Sequence, residues 1–159
     1  MGVHDLNWEW PICDASGFDR PEVTHECGQD AVRQACIELR EFELAERALM
    51  SAERAPGHNS KVLGLRGYLY ALLGRPAEAT ELLDTLTVGS REHYVPPCAI
   101  ALVHARLGDF DRAADWLQRA FDARDVHLML LPIDPKWDPY RADTRFAVII
   151  ERCGFTPTT

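Results

Sequence analysis

The stretch LGDFDRAADWLQRAF, residues 107–121, decides the fold. Phe110, Ala113, Leu117, Ala120 and Phe121 fall on one helical stripe, and Asp111, Asp115, Gln118 and Asp122 fall elsewhere, the pattern of a helix with one face against a core. Gly108 sits in a short turn that joins this helix to one before it. The same stretch recurs at steps of 34 residues: Leu107 aligns with Leu73 and Leu39, Ala113 with Ala79 and Ala45, and Leu117 with Leu83 and Leu49. Gly108 and Gly74 share their column with Arg40, and Phe110 and Phe42 share theirs with Pro76. One hairpin of this kind cannot bury its apolar surface alone, so repetition predicts a stack in which each hairpin covers the next.

Composition limits what such a stack can meet. The chain has 159 residues, 47% of them hydrophobic, enough for one domain with a real core. Lys and Arg number 17 against 25 Asp and Glu, and the net charge of -8 gives no overall attraction to a phosphate backbone, so nucleic acid is not an expected partner. No stretch approaches the roughly 18 apolar residues of a membrane span, and the N-terminus lacks the basic start and apolar run of a signal peptide. A cytoplasmic location is therefore expected. Cys13, Cys27, Cys36, Cys98 and Cys153 are odd in number, scattered and without a CxxC pair, so free thiols are expected instead of a disulfide framework or a zinc finger.

The 34-residue period resembles the tetratricopeptide repeat, with its pattern W-x2-L-G-x2-Y, then A-x3-F, then P. In the second copy Gly67, Tyr70, Ala79 and Leu83 occupy the corresponding places; in the third, Ala101, Ala113 and Leu117 do. The first copy has Arg33 and Cys36 where a small residue and a tyrosine are expected, but Ala45, Leu49 and Pro56 fit. The resemblance covers residues 26–127 and implies an all-α, right-handed superhelical stack of about three helical hairpins. In this reading Gly67 and Ala101 let the two helices of a hairpin approach closely, and Leu49, Leu83 and Leu117 fill the seam between hairpins.

Both ends differ from the repeat. Residues 1–25 contain Pro11, Gly17 and Pro21 but also Trp8, Trp10, Ile12 and Phe18, so they are expected to pack, either over the first hairpin or against another subunit. Residues 128–159 begin with Pro132, Pro135 and Pro139, which forbid a continuous helix, and resume helical spacing after Asp143 with Phe146, Ile149, Ile150 and Cys153 until Gly154. This tail, with Asp134-Pro135, Asp138-Pro139, Arg141 and Asp143-x-Arg145-Phe146, resembles one that follows tetratricopeptide arrays in many bacterial regulatory proteins. There the array is joined to a cyclase, kinase or DNA-binding module; the chain has room for none, so a separate subunit is expected.

In the resembled family the first helix of each hairpin lines a concave surface. Carried across, those places are Gln34 and Glu38, then Lys61, Tyr68 and Leu72, then Leu102 and Arg106. They form the expected partner-binding site, with Lys61 and Arg106 able to pair with acidic groups and Tyr68, Leu72 and Leu102 able to receive an apolar helix face or an extended peptide. Tyr68 and Leu102 also fit as core residues of a tightly wound array. The family's carboxylate-gripping places are here Asp30, Gln34, Leu65, Val95 and Ala99, which do not suit a chaperone tail.

Chemistry has less support. His4, Cys13, His25 and Cys27 supply only half of a zinc-ligand pattern, so no metal and no cofactor are expected. His93, His104 and His127 supply imidazoles, a side chain suited to acid-base work, but His104 lies in the tyrosine column and no nucleophile motif accompanies them. Glu41, Glu43, Glu46, Asp109, Asp111 and Asp115 mark the starts of second helices, where carboxylates complement the helix dipole. The leading expectation is a non-enzymatic interaction module that binds a protein or peptide. The alternatives are a homo-oligomer assembled through the N-terminal aromatic segment, and an unusual or accessory enzyme with its site in the N-terminal His/Cys cluster.

Overall fold

The structure, a computed structural model, describes residues 36–37, 39–54 and 60–155. Among these every regular element is a helix, with no strand. The α-helices are α1 (Phe42–Glu53), α2 (Ser60–Leu72), α3 (Pro76–Gly89), α4 (Pro97–Arg106), α5 (Phe110–Asp122) and α6 (Thr144–Arg152). Two 3-10 helices, η1 (Val126–Leu130) and η2 (Pro135–Tyr140), lie between α5 and α6. Helices α2 and α3 form one hairpin and α4 and α5 the next; α2 also packs along α4, and α1 packs on α2. The result is an all-helical repeat stack. Cys36 and Ile37 are helical and buried ahead of α1.

The three turns show how literal the repetition is. Arg40, Gly74 and Gly108, one column of the sequence, all take the left-handed conformation, with φ of 61°, 71° and 85°. In each, two backbone N–H groups fold back on the preceding helix: Arg40 to Ile37 and Glu41 to Cys36, Gly74 to Ala71 and Arg75 to Tyr70, Gly108 to Ala105 and Asp109 to His104. This paired reversal satisfies carbonyls that a helix end otherwise leaves open. Arginine has a Cβ that crowds this conformation, so Arg40→Gly is expected to raise stability by about 1 kcal/mol, read as a higher midpoint in chemical denaturation.

The columns that carry the hydrophobic pattern are interior. Ala45, Ala79 and Ala113 are buried, as are Leu49, Leu83 and Leu117. Leu39 departs from its column: it is exposed, while Leu73 and Leu107 are half-buried. The role expected of Gly67 needs correcting. A Cβ there would lie 3.1 Å from Val103 of α4 in the neighbouring hairpin, but 3.9 Å from the nearest atom of its own partner α3, the Ala79 carbonyl oxygen. Gly64 is tighter still, its Cβ position 2.9 Å from the Cβ of Ala99. The glycines of α2 thus admit the next hairpin, and the close approach lies between repeats.

Polar clamps bridge the hairpins at their edges. Arg75 reaches Glu46 of α1 at 2.9 Å and Glu78 at 2.7 Å, with its guanidinium 4.2 Å from the centre of the Tyr70 ring. Arg66 stacks on the same ring, donates to the Tyr70 hydroxyl at 3.0 Å and pairs with Glu53. Glu46 and Glu53 therefore do more than solvate α1.

The C-terminal segment closes on α4 and α5. Helix α6 starts where the sequence predicts, with the Asp143 side chain accepting the Arg145 N–H at 2.9 Å, and it buries Phe146, Ile149 and Ile150. Trp137 stacks on Phe146 at 5.5 Å, and Tyr140 meets Phe110 of α5 at 5.4 Å. Arg141 donates to the Pro132 and Asp134 carbonyls and pairs with Asp138, while Arg145 pairs with Asp111 of α5. The prolines rule out an α-helix here, and tight 3-10 turns held by this arginine and these aromatics replace it.

Candidate protein-binding site

Lys61, Leu65, Tyr68 and Leu72 lie on one stripe of α2, and Ala99, Leu102 and Arg106 on one stripe of α4, because residues three, four and seven apart share a helix face. Since α2 and α4 run side by side, the two stripes flank their common seam. From Pro97 to Ala105 every residue of α4 except Ala99 is buried, as expected of a helix that is apolar all round. Arg106 is half-buried. What α4 offers to solvent is therefore on this stripe.

The expected site residues divide accordingly. Lys61 is exposed, and Leu72 and Arg106 are half-buried, so these three reach the surface. Tyr68 and Leu102 are only 8% and 7% exposed and belong to the main hydrophobic core together with Leu69, Ala101 and Leu117. The expectation that their side chains stand open to a partner is corrected: packing between hairpins this close draws both into the interior, which fits the core reading. Gln34 and Glu38 lie outside the described residues. So do His4, Cys13, His25 and Cys27.

The far end of the seam meets the C-terminal cap, because η2 packs on α4. The Arg106 guanidinium lies against the hydroxyl of Tyr140, partly opposing the upward push that burial gives that phenol. Lys136 is buried with its ammonium 2.7 Å from Asp134. Cap side chains thus form one end wall of the candidate surface.

Sequence reasoning missed Asp125. Its fully buried carboxylate accepts the backbone N–H of Cys98 at 3.1 Å and that of His127 at 3.0 Å, and it lies 2.7 Å from the His127 ring nitrogen Nδ1. One side chain thereby caps the start of α4 and the start of η1. Burial alone would raise its pKa, but the His127 ring and the two N–H groups outweigh burial and hold it at about 2. An aspartate immediately before the apolar run VHLML is an N-cap signal, the cue that would have found it.

The described cysteines and histidines give little chemistry. Burial, reinforced by Asp125, drives the Cys98 thiol far above its ordinary range, and burial also raises Cys153, so neither is an activated nucleophile. His104 is buried in the column of Tyr70, as the repeat predicts; burial lowers its pKa, and Asp109 at 3.7 Å only partly opposes this. No helix among the described residues is long and apolar enough to cross a membrane.

Residues 62–85 and 100–119, which fall in the hairpins α2–α3 and α4–α5, match the family described as Tetratricopeptide repeat. Both hairpins are therefore similar to that family, whose repeats generally mediate contacts between proteins and are typically non-catalytic. No curated protein and no solved structure matches the chain.

Proposed function

We propose that this protein is a non-enzymatic interaction subunit, an adaptor or regulatory scaffold, that holds a partner's peptide or helix along the α2–α4 seam. The observation that carries this reading is that the solvent-reaching residues of α4, Ala99 and Arg106, share a stripe beside that of Lys61 and Leu72 on α2. Lys61 and Arg106 supply positive charge at the two ends of the seam on a chain of net charge -8, so an acidic or acid-flanked apolar segment is the favoured ligand. Gln34 and Glu38 extend the same surface into the first copy. Residues 1–25 cover the first hairpin in this reading, and residues 128–159 cover the last. The site is assigned to the cytoplasm, with no cofactor.

Photo-crosslinking tests it without disturbing the core. A photoreactive residue placed at Lys61, Leu72 or Arg106 is expected to trap a common partner in native lysate, whereas one at exposed Glu81 or Thr85 on α3 is not. Equal trapping from α3, or trapping from α3 alone, overturns the assignment of the seam.

A further inference from the structure

We propose that His104 makes the α4–α5 hairpin an acid-sensitive latch, in which a proton on the imidazole competes with the N-terminus of α5 for the carboxylate of Asp109. The geometry sets up this competition. His104 is 5% exposed, and its ring nitrogen Nδ1 stands 3.7 Å from Asp109 Oδ2, beyond hydrogen-bond reach. The same carboxylate is already engaged: Oδ1 accepts the Arg112 N–H at 3.2 Å and so caps α5, and Oδ2 lies 3.5 Å from Arg112 Nε. The backbone N–H of Asp109 donates to the His104 carbonyl, which ties the two residues together through the turn.

Among the repeats this arrangement is particular to the third copy. Tyr70, Arg75 and Glu78 step by 34 residues to His104, Asp109 and Arg112. In the second copy the Arg75 guanidinium lies 4.2 Å from the centre of the Tyr70 ring and pairs with Glu78, and no imidazole takes part. In the third copy the ring is an imidazole and both charges are reversed, so a carboxylate faces the ring where a guanidinium faced it before. Cys36, in the same column of the first copy, brings no imidazole either.

The charged groups that face His104 are Asp109 and Arg112 from the start of α5 and Asp84 from α3. Burial opposes a proton on the ring, Asp109 and Asp84 favour one, Arg112 opposes it, and burial prevails, so the folded chain holds this proton less readily than the unfolded chain does. The hairpin is therefore tightest above neutral pH, loses stability as pH falls through the ordinary histidine value of 6.5, and levels off once the folded ring is protonated. In that state a charge is buried, and Asp109 reaches it only by leaving the Arg112 N–H uncapped. Helix α4 carries Ala99 and Arg106, so in the reading proposed above a loosened α4 also slackens one wall of the seam. The latch itself does not depend on that reading.

Amide hydrogen exchange on the full chain, corrected for the intrinsic pH dependence of exchange, tests the latch. Opening of the α5 amides is expected to rise at least about threefold between about pH 7.5 and about pH 5.5, with a ceiling of about tenfold if the closed hairpin takes up no proton at all. That rise is expected to be lost in His104→Gln and in His104→Tyr, the latter giving this position the side chain of the second copy; whichever keeps the parent's circular dichroism at neutral pH serves. The His104 ring protons, followed by nuclear magnetic resonance, are expected to titrate below the ordinary histidine range, and lower still in Asp109→Asn, which keeps a capping side chain but removes its charge. A rise of less than about threefold in the parent, a rise that persists in a folded His104 variant, or a ring that titrates at or above the ordinary 6.5 overturns the proposal.

Discussion

Asp125→Ala is expected to lower the stability of the chain by about 3 kcal/mol, a fall of about 10 °C in thermal midpoint for a domain of this size. The carboxylate is fully buried, and its removal leaves the N–H groups of Cys98 and His127 and the His127 ring without their acceptor. Each such buried donor costs about 1 kcal/mol or more when left unpaired. Asp125→Asn keeps one oxygen acceptor and is expected to lose about half as much. Hydrogen exchange localises the effect: the amides of Cys98 and His127 are expected to exchange faster, while those of α1 change least. The pH dependence follows from the depressed pKa. A carboxyl group at about 2 in the fold against an ordinary 3.8 contributes stability that is fully present above pH 4 and is lost as pH falls through about 2. That component of acid unfolding is expected to vanish in the alanine variant. A variant within about 0.5 kcal/mol of the parent would show that Asp125 does not hold the cap to the array.

The second large effect is expected at Gly64. Valine there places a Cβ 2.9 Å from the Cβ of Ala99, with the Ala99 Cα and carbonyl oxygen close behind, at 3.6 and 3.7 Å. Two of those three atoms are backbone, so no rotamer change relieves the clash and α4 must move away from α2. The expected loss is about 3 kcal/mol, at the upper end for overpacking a core. Gly89→Ala is the control, since nothing lies within 4 Å of its Cβ position; it is expected to be neutral or stabilising by up to about 1 kcal/mol. Adding Ala99→Gly to Gly64→Val is expected to restore part of the loss, because the two sites share one contact. Equal denaturation midpoints for Gly64→Val and the parent would mean that α2 and α4 do not abut at this position.

Much of the architecture is legible because its causes are local. The 34-residue columns, the turns at Arg40, Gly74 and Gly108, and the Asp143 start of α6 all depend on residues within one or two helical turns of each other. The candidate surface is legible only in part. Helical spacing places Lys61, Tyr68 and Leu72 on one stripe, but how deeply each sinks depends on the distance between helices. That distance is set by Gly64 and Gly67 against Ala99 and Val103, a contact across the period. This is why Tyr68 and Leu102 pass from expected surface to core while Lys61 and Arg106 stay at the edge.

Periodicity, glycine and proline act through the nearby backbone, so the repeat, its period, the helical faces and the breaking of the fourth hairpin follow from the residues in order. Tertiary structure alone decided the rest. It brought the Asp125 carboxylate to the N–H of Cys98, 27 positions earlier in the chain, stacked Trp137 on Phe146, and left Val126, Met129 and Ile133 exposed. The reason is that burial is shared: whether an apolar or ionised side chain ends inside depends on what faces it from another element.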